Sequence, residues 1–417
     1  MEIKRDDYLN RLIRRKHNGM VKVVTGIRRC GKSYLLFNLF QKHLLECGVK
    51  EDHIIKVVLD DRRNIALRDP DMILKYVLER ISDSEPHYVI LDEVQFLPEF
   101  EDVLATFLHL PNADVYVTGS NSKFLSSDVI TEFRGRGDEV RVHPLSFREF
   151  SSVFPGSVEK AWDTYFLFGG LPQTALLETD EQKIGFLQSV FQRVYISDIV
   201  ERHRISHPAE LDELIDVLAS SVGSLTSPLK LAKTFQSVKK RNITDKTLKR
   251  YLDSLTDAFL ISKASRYDLK GRRYIASPAK YYFEDVGLRN ARLGFRQTEE
   301  NHIMENIIYN ELRIRGYQVD VGVVEQFGKD DRNKSIRRQL EIDFVAARGS
   351  EKYYIQSAFE MPTREKSEQE QRPLRAVPDS FKKIVIVKND IRVRRNEDGI
   401  VTMGVLRFLS DENSLNV

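Results

Sequence analysis

Cysteine is scarce in this sequence, with Cys30 and Cys47 as the only two among 417 residues. Two cysteines cannot form a disulfide framework, and such low usage is typical of a reducing compartment. No run of about 18 uninterrupted apolar residues occurs, which excludes a membrane-spanning helix. The mixed charges of residues 1–7 also lack the apolar core of a secretory signal. These absences predict a cytoplasmic protein with no membrane partner.

A large excess of one charge is lacking too, because 65 Lys and Arg against 62 Asp and Glu give a net charge of +3. This near balance excludes a protein that coats nucleic acid over its whole surface, but it allows a local basic patch. Hydrophobic residues make up 41% of the chain, so intrinsic disorder is excluded as its main state. At about 150 residues per domain, the length indicates two or three domains.

Residues 1–150 alternate short apolar runs with longer amphipathic segments. The apolar runs are rich in β-branched residues, as is typical of strands buried on both faces. Strands that alternate with helices predict an α/β domain with a parallel sheet covered on both sides. The five strands are expected at 20–26, 53–60, 87–93, 113–120 and 139–146.

The rest of the chain divides into a helical block and a second α/β block. Residues 151–295 show apolar residues at helical spacing, and two short helices, a longer helix and a basic hairpin at Lys270–Gly271 are typical of a winged helix. Residues 296–417 predict a helix followed by strands, with a polar loop or helix at 362–373. We therefore expect a parallel α/β domain over 1–150, a helical and winged-helix domain over 151–295, and a second α/β domain over 296–417.

A glycine-rich segment, Gly-Ile-Arg-Arg-Cys-Gly-Lys-Ser, follows the first predicted strand and opens a helix. The glycines let backbone N–H groups turn toward phosphate oxygens, and the helix N-terminus adds a positive field. Lys32 is expected to bridge the β and γ phosphates of ATP, and Ser33 to bind Mg²⁺. Arg28 and Arg29 face either the nucleotide or the solvent. The predicted nucleotide-binding residues are Gly26, Ile27, Arg28, Arg29, Cys30, Gly31, Lys32, Ser33 and Tyr34.

The third and fourth strands end in polar residues that complete this site. Asp92 is expected near Mg²⁺, and Glu93 is expected to polarise the attacking water as a general base. An acid at this position favours ATP hydrolysis over phosphoryl transfer to a substrate. After the fourth strand, Ser120 or Asn121 is expected to sense the γ-phosphate, unless the segment is an ordinary turn.

Two arginines, Arg134 and Arg136, flank a glycine before the fifth predicted strand. One of them is expected to act as an arginine finger in a neighbouring subunit's site, which predicts a homo-oligomer. The alternative is that both are solvated surface residues.

Together with Pro-Leu-Ser-Phe-Arg-Glu-Phe at 144–150, these motifs resemble a branch of the AAA-type ATPases. The resemblance covers essentially the whole chain, because segments 168–172, 197–202 and 280–288 are similar to the linking and C-terminal segments of prokaryotic members. It implies a P-loop sheet of the additional-strand-catalytic-glutamate group in the order 5-1-4-3-2, with ATP and Mg²⁺ as cofactors. It also implies ring-like or dimeric assembly. It does not indicate which process ATP hydrolysis serves.

Residues 228–280 hold fourteen Lys and Arg against four Asp and Glu, a surplus of +10 that leaves −7 for the rest of the chain. This asymmetry favours DNA as a partner. The residues expected to contact DNA are Lys246, Lys249 and Arg250 on the predicted recognition helix, and Lys270, Arg272 and Arg273 on the hairpin. The alternative is a winged helix used only for packing or for protein binding.

In the third block, Glu305, Glu341 and Asp343 resemble the acidic residues of the restriction-endonuclease-like fold, which hold catalytic Mg²⁺. Gln356 and Ala358 stand where that pattern needs an acid and a lysine. We therefore expect a catalytically inactive domain. A nuclease would need Glu305 and Asp343 to bind a metal weakly, with Glu360 or Glu365 as the replacement acid.

These patterns together predict a Mg²⁺-dependent ATP hydrolase that couples turnover to conformational work on DNA. Two alternatives stay open. One is an ATP-dependent signalling or defence switch that acts on a protein partner, and the other is a nuclease regulated by ATP.

Overall fold

The computed structural model describes residues 2–119, 135–238, 242–296, 299–329 and 335–417. The chain divides into two compact units, Met1–Pro144 with Asp257–Phe259, and Leu145–Thr256 with Leu260–Val417. The first division lies close to the domain border predicted at 150/151. The border predicted at 295/296 falls inside the second unit.

The first unit contains a five-stranded sheet in which all neighbouring strands are parallel. Its order is β2-β3-β4-β1-β5, which confirms the predicted order 5-1-4-3-2 read from the other edge. Every residue of β1 and β3 is buried, as expected for strands covered on both faces. The strands are β1 (Val21–Thr25), β2 (Ile54–Val58), β3 (His87–Asp92), β4 (Ala113–Thr118) and β5 (Gly137–Arg141).

Helices cover both faces of this sheet. On one face, Ile73, Val77 and Phe107 pack against apolar strand residues. On the other, the Phe40 ring lies 4.7 Å from that of Tyr116 in β4. The helices are α1 (Asp6–Ile13), α2 (Lys32–Tyr34), α3 (Gln41–Glu46), α4 (Pro70–Leu78) and α5 (Phe100–Leu108), with a π-helical segment Leu35–Phe40 between α2 and α3 and 3₁₀ turns at Glu51–His53, Arg62–Arg68 and Val94–Phe96.

Helices form the first part of the second unit, and further helices lie between and after its strands. They are α6 (Phe147–Val153), α7 (Val158–Phe168), α8 (Pro172–Leu176), α9 (Asp180–Val190), α10 (Ser197–Arg202), α11 (Pro208–Ser220), α12 (Pro228–Val238), α13 (Asp245–Asp257), α14 (Val286–Arg292), α15 (Glu300–Ile314), α16 (Arg364–Arg375) and α17 (Val405–Ser410). The segment Phe191–Ile196 is π-helical, and Ser414–Asn416 forms a 3₁₀ turn. Among the helices in the described ranges, none has the length and apolar character needed to cross a bilayer.

An eight-stranded mixed sheet completes the second unit, in the order β12-β13-β11-β10-β9-β8-β6-β7. The hairpin expected to be a wing forms β6 and β7, and Arg266–Asp268 of β6 pair in parallel with Val321–Val323 of β8. The hairpin is therefore an edge of the C-terminal sheet. The strands are β6 (Ile261–Asp268), β7 (Arg273–Phe283), β8 (Gln318–Lys329), β9 (Ser335–Arg348), β10 (Glu351–Ala358), β11 (Lys382–Val387), β12 (Arg394–Arg395) and β13 (Val401–Gly404).

Two of the family-like segments, 168–172 and 280–288, meet at Asp285. Its carboxylate accepts hydrogen bonds from the N–H groups of Gly170 (2.7 Å) and Leu288 (3.1 Å), so that it caps α14 and holds the turn after α7. Burial raises the pKa of Asp285 to about 6. Gly169 has φ +70°, and a Cβ there would lie 2.2 Å from Asp285 Oδ1. The Asp285 carboxylate therefore holds these two segments together, which is a structural role.

Candidate nucleotide-binding and catalytic site

The glycine-rich loop leaves β1 at the carboxyl edge of the parallel sheet and leads into α2. Gly26 has φ +136°, and a Cβ there would lie 2.0 Å from the carbonyl oxygen of Val142, so only glycine fits. Arg29 (φ +63°) and Gly31 (φ +99°) are also left-handed. Three positive φ angles in six residues curl the backbone into the tight loop that a phosphate cradle requires.

Lys32 is the first residue of α2, and its side chain turns back into this loop. Its Nζ donates hydrogen bonds to the carbonyl oxygens of Gly26 (3.0 Å) and Ile27 (3.2 Å). Lys32 is only 4% exposed, and in the described part of the chain its ammonium contacts carbonyl oxygens but no carboxylate. A buried cation without a counter-charge is costly. An anion bound in the loop would supply that charge.

Asp92, at the end of β3, lies at the centre of a hydrogen-bond network. Its Oδ1 accepts hydrogen bonds from Ser33 Oγ (3.0 Å) and from Thr118 Oγ1 at the end of β4. Burial raises the pKa of Asp92, although these two hydrogen bonds oppose the shift. Thr118 Oγ1 also accepts a hydrogen bond from the backbone N–H of Glu93 (2.9 Å). The network therefore fixes two neighbouring carboxylate-bearing residues relative to the loop.

Glu93 is half-buried and has a left-handed backbone, with φ +53°. This conformation is strained for a residue with a side chain, at roughly 1–3 kcal/mol, and such strain is concentrated at functional sites. The Glu93 carboxylate accepts a hydrogen bond from the Gln95 side-chain amide. Glu93 is thus held directly after Asp92, at the edge of the sheet where the loop lies.

The site offers the hard oxygen donors that Mg²⁺ prefers, namely the Ser33 hydroxyl and the Asp92 carboxylate. These two groups, which were predicted as the metal residues, lie in direct contact at 3.0 Å. The residues present therefore fit Mg²⁺, with Ser33 as a ligand and Asp92 as a ligand or as a partner of a metal-bound water.

The other residues of the predicted nucleotide set differ in exposure. Ile27 and Cys30 are fully buried, and Cys30 Sγ lies 3.3 Å from the Val142 carbonyl oxygen, so both face the protein interior. Arg28 is half-buried, whereas Arg29 and Tyr34 are exposed. Only the backbone of Ile27 and Cys30 is left to contact a nucleotide.

Ser120, Asn121 and Arg134 lie outside the described residues. Thr118 was not among the predicted site residues, although it connects Asp92 to Glu93. Arg136 is exposed, and its carbonyl oxygen accepts a hydrogen bond from Val21 N (2.9 Å) at the amino end of β1. The loop leaves the other end of this strand, roughly 15 Å away.

The six residues predicted to contact DNA are all exposed. On α13, Lys249 pairs with Asp253 (3.6 Å), while Lys246 and Arg250 also lie on the surface. On the hairpin, Lys270 Nζ donates to the Glu325 carbonyl oxygen (2.9 Å). Next to it, Arg273 Nε lies 3.5 Å from Asp268 Oδ2, and Arg272 is solvent-facing. The surface is basic, but part of it is engaged in internal contacts.

Lys280 belongs to the basic segment by sequence, but its side chain is only 4% exposed. Its Nζ lies 2.8 Å from Glu305 Oε1, 2.9 Å from Glu341 Oε1 and 3.0 Å from Asp343 Oδ1. Burial lowers the pKa of Lys280, but the attraction of the carboxylates outweighs it and raises the pKa well above the usual value. Burial raises the pKa of Glu305 to about 7, against the effect of Lys280.

This cluster, Lys280 with Glu305, Glu341 and Asp343, does not fit a nuclease metal centre. The ammonium group occupies the space between the carboxylates that a divalent cation would need. Gln356 contacts Glu370 through its amide (3.4 Å), and the buried methyl group of Ala358 offers no donor. The two candidate replacement acids, Glu360 and Glu365, are solvent-exposed.

Comparisons with known proteins agree with this geometry. Residues 18–151 match the family model of an AAA domain, and residues 159–299 match a domain of unknown function (DUF8612). An uncharacterized protein of Haemophilus influenzae is 32% identical over 390 residues, which span 92% of this chain and 93% of the relative. The uncharacterized protein MJ1544 of Methanocaldococcus jannaschii is 28% identical over 355 residues, 82% of this chain and 75% of its own.

Among solved structures, the Walker-type ATPase PABY2304 of Pyrococcus abyssi superposes with a TM-score of 0.50. The match covers 70% of this chain and 96% of that one at 16% sequence identity, a level at which similarity shows the fold alone. The AAA-domain match, the strand order and the full-length relative confirm the resemblance seen in the motifs. The chain belongs to the AAA-type P-loop ATPase family.

Proposed function

We propose that the protein hydrolyses ATP with the help of Mg²⁺. The observation that supports this most strongly is the convergence of three chain segments at the carboxyl edge of one sheet. The loop contributes Lys32 and Ser33, β3 ends in Asp92 and is followed by Glu93, and β4 contributes Thr118. The side chains of Ser33, Asp92 and Thr118 are joined by hydrogen bonds, and Thr118 also accepts one from the backbone N–H of Glu93, although these segments are distant in sequence.

Each residue of this site has a role that follows from its contacts. The Lys32 ammonium exchanges loop carbonyls for phosphate oxygens when ATP enters. Ser33 and Asp92 hold Mg²⁺, which when bound neutralises charge on the phosphoryl oxygens. Thr118 keeps Asp92 in position and anchors the backbone of Glu93. The Glu93 carboxylate orients the attacking water and accepts its proton.

Replacing Glu93 with glutamine is expected to preserve ATP binding and to lower turnover by at least about 10²-fold, because the amide cannot accept the proton. Phosphate release and calorimetric ATP binding are measured on the same preparation. Glu99→Gln is the matched control, because Glu99 is a nearby exposed glutamate that also has a positive φ, of +50°. If Glu93→Gln hydrolyses ATP at the wild-type rate, Glu93 is not the general base.

We further propose that this turnover acts on DNA through the basic residues of α13 and the β6–β7 hairpin. The surplus of +10 over 228–280 supports this, together with the exposure of all six residues predicted to contact DNA. Arg136 is too far from its own subunit's loop to act there, so its role as a finger requires a homo-oligomer. A switch that acts on a protein partner is the alternative, and it predicts slow turnover that DNA does not stimulate.

Converting Lys270, Arg272 and Arg273 to glutamate is expected to weaken duplex DNA binding at least tenfold at about 100 mM salt. The loss of three phosphate contacts is also expected to make the salt dependence weaker. The slope of the logarithm of the DNA-binding constant against the logarithm of the salt concentration becomes less steep by about 2.7. Fluorescence anisotropy over a salt series measures both. Arg392, Arg394 and Arg395, also exposed and in the same unit, receive the same charge change as a control. Equal DNA affinity in both triple variants contradicts the assigned surface.

A further inference from the structure

Two histidines and an aspartate converge at the amino edge of the five-stranded sheet. His87 is the first residue of β3, and His53 directly precedes β2. Because Ile54 pairs with Tyr88 in register, the two histidines lie side by side, with ring centroids 4.3 Å apart. Asp83, in the connection before β3, places Oδ2 3.3 Å from His53 Nε2. One ring nitrogen of each histidine and one carboxylate oxygen lie within 4.8 Å of one another.

The hydrogen bonding of His87 is incomplete. His87 is fully buried, and its Nδ1 lies 2.8 Å from the Glu85 carbonyl oxygen, to which it donates its proton. The Nε2 atom therefore carries a lone pair, and it is buried with no hydrogen-bond partner among the described residues. Leaving such an atom unsatisfied is unfavourable. An Nδ1–H bonded to a backbone carbonyl with a free Nε2 is the arrangement that metal-binding histidines adopt.

The aspartate is held in place by its surroundings. Asp83 Oδ1 accepts a hydrogen bond from Glu85 N (2.9 Å), and its carbonyl oxygen accepts one from the Asn112 amide (2.7 Å). Oδ2 is thereby directed to His53. The Asp83 side chain is 40% exposed while His53 is almost fully buried, so the cluster reaches the solvent at Asp83.

We propose that His53, Asp83 and His87 bind one transition-metal ion of the Zn²⁺ class. Two imidazole nitrogens and one carboxylate suit Zn²⁺ or Co²⁺, whereas Mg²⁺ and Ca²⁺ prefer oxygen ligands alone. Ligand atoms about 2.1 Å from a tetrahedral metal lie about 3.4 Å apart, close to the 3.3 Å between His53 Nε2 and Asp83 Oδ2. The two rings are inclined by only 19°. A tilt of the His87 ring is therefore needed to point both nitrogen lone pairs at one metal ion.

The site is separate from the nucleotide site, because it lies at the amino edge of the sheet and the phosphate loop at the carboxyl edge. Three protein ligands leave one position of a tetrahedral site available to water, and Asp83 is the ligand that reaches the solvent. The metal ties the turn at Glu51–His53 to the connection that leads into β3. It is therefore a structural clamp between two neighbouring strands.

Titration of the metal-free full-length protein with Co²⁺ tests the proposal, because Co²⁺ bound by nitrogen and oxygen ligands absorbs visible light. The Cys47→Ser variant serves as the parent, since Cys47 Sγ lies 3.6 Å from His43 Nε2 and offers a competing pair of ligands. We expect a saturable band at one Co²⁺ per chain that Zn²⁺ displaces. Asp83→Asn, an isosteric change at the surface, and His53→Gln are expected to weaken Co²⁺ binding at least tenfold.

His109→Gln is the matched control, because this exposed histidine belongs to the same unit but not to the cluster. It is expected to bind Co²⁺ as the parent does. Zn²⁺ is also expected to raise the melting temperature of the parent by several degrees but not that of Asp83→Asn. A folded parent without a saturable band overturns the proposal, as does equal Co²⁺ affinity or an equal Zn²⁺-induced rise in melting temperature in Asp83→Asn.

Discussion

Replacing Lys32 with methionine is expected to weaken ATP binding at least 100-fold, about 2.7 kcal/mol, without destabilising the protein. In the folded chain this ammonium is buried against loop carbonyls. Burial of an ammonium group without a counter-charge is costly, and a bound phosphate would supply that charge. Methionine keeps the volume of the side chain and removes the charge. We expect the nucleotide-free variant to melt at or above the wild-type temperature, and ATP with Mg²⁺ to raise the melting temperature of the wild type only.

The control for this change is Lys56→Met. Lys56 lies in β2 of the same sheet, is exposed, and donates a hydrogen bond to the Gln41 side chain (2.9 Å). This variant loses the same charge and is expected to keep the ATP-induced rise in melting temperature. Two results would argue against the assignment of Lys32. One is an ATP-induced rise that survives in Lys32→Met, and the other is a loss of many degrees without nucleotide, which would make Lys32 a structural residue.

The placement of the candidate nucleotide-site residues at one edge of the sheet could be predicted from sequence because its signals are local. A buried strand, a glycine-rich loop and a helix start follow one another within residues 21–34, and each constrains the next. Gly26 illustrates this, since a tight turn after a buried strand leaves no room for a Cβ. The position of Asp92 and Glu93 at the end of β3 could be predicted for the same reason, because they are acids at the end of an apolar run.

Thr118 could not be predicted because its role depends on which strands are neighbours. It contacts Asp92, 26 residues earlier in the chain, only because β3 and β4 lie side by side. Sequence pattern alone directs attention to the polar side chains that follow, at Ser120 and Asn121. The register of two strands, rather than residue type, decides which hydroxyl group reaches the carboxylate.

Lys280 could not be interpreted from sequence for a related reason. It stands in a strongly basic segment, which predicts an exposed cation. In the fold, β6 and β7 join the C-terminal sheet, and Lys280 meets carboxylates that lie 25, 61 and 63 residues further along the chain. Composition predicts the charge of a segment, but the pairing of β6 with β8 decides which of its charges are buried.

Replacing Lys280 with methionine is expected to destabilise the protein by about 3–5 kcal/mol, one of the largest effects of any single substitution here. The change leaves Glu305, Glu341 and Asp343 close together without their shared cation, and Glu305 and Asp343 are buried. Burial already raises the pKa of Glu305 to about 7 in the presence of the lysine. Urea denaturation gives the free energy of unfolding, and Lys263→Met, an exposed position on β6, is the matched control.

The pH dependence of this loss tests its electrostatic origin. A carboxyl whose pKa is higher in the folded than in the unfolded chain binds more protons when folded, so stability falls as the pH rises between the two values. For Glu305 this range lies between 4.5 and about 7 with the lysine present, and it extends to higher pH without it. We therefore expect a larger loss in Lys280→Met at pH 8 than at pH 5, and partial recovery at pH 8 in Lys280→Met with Glu305→Gln. A loss that is the same at both pH values and unchanged in the double variant would instead indicate a packing defect.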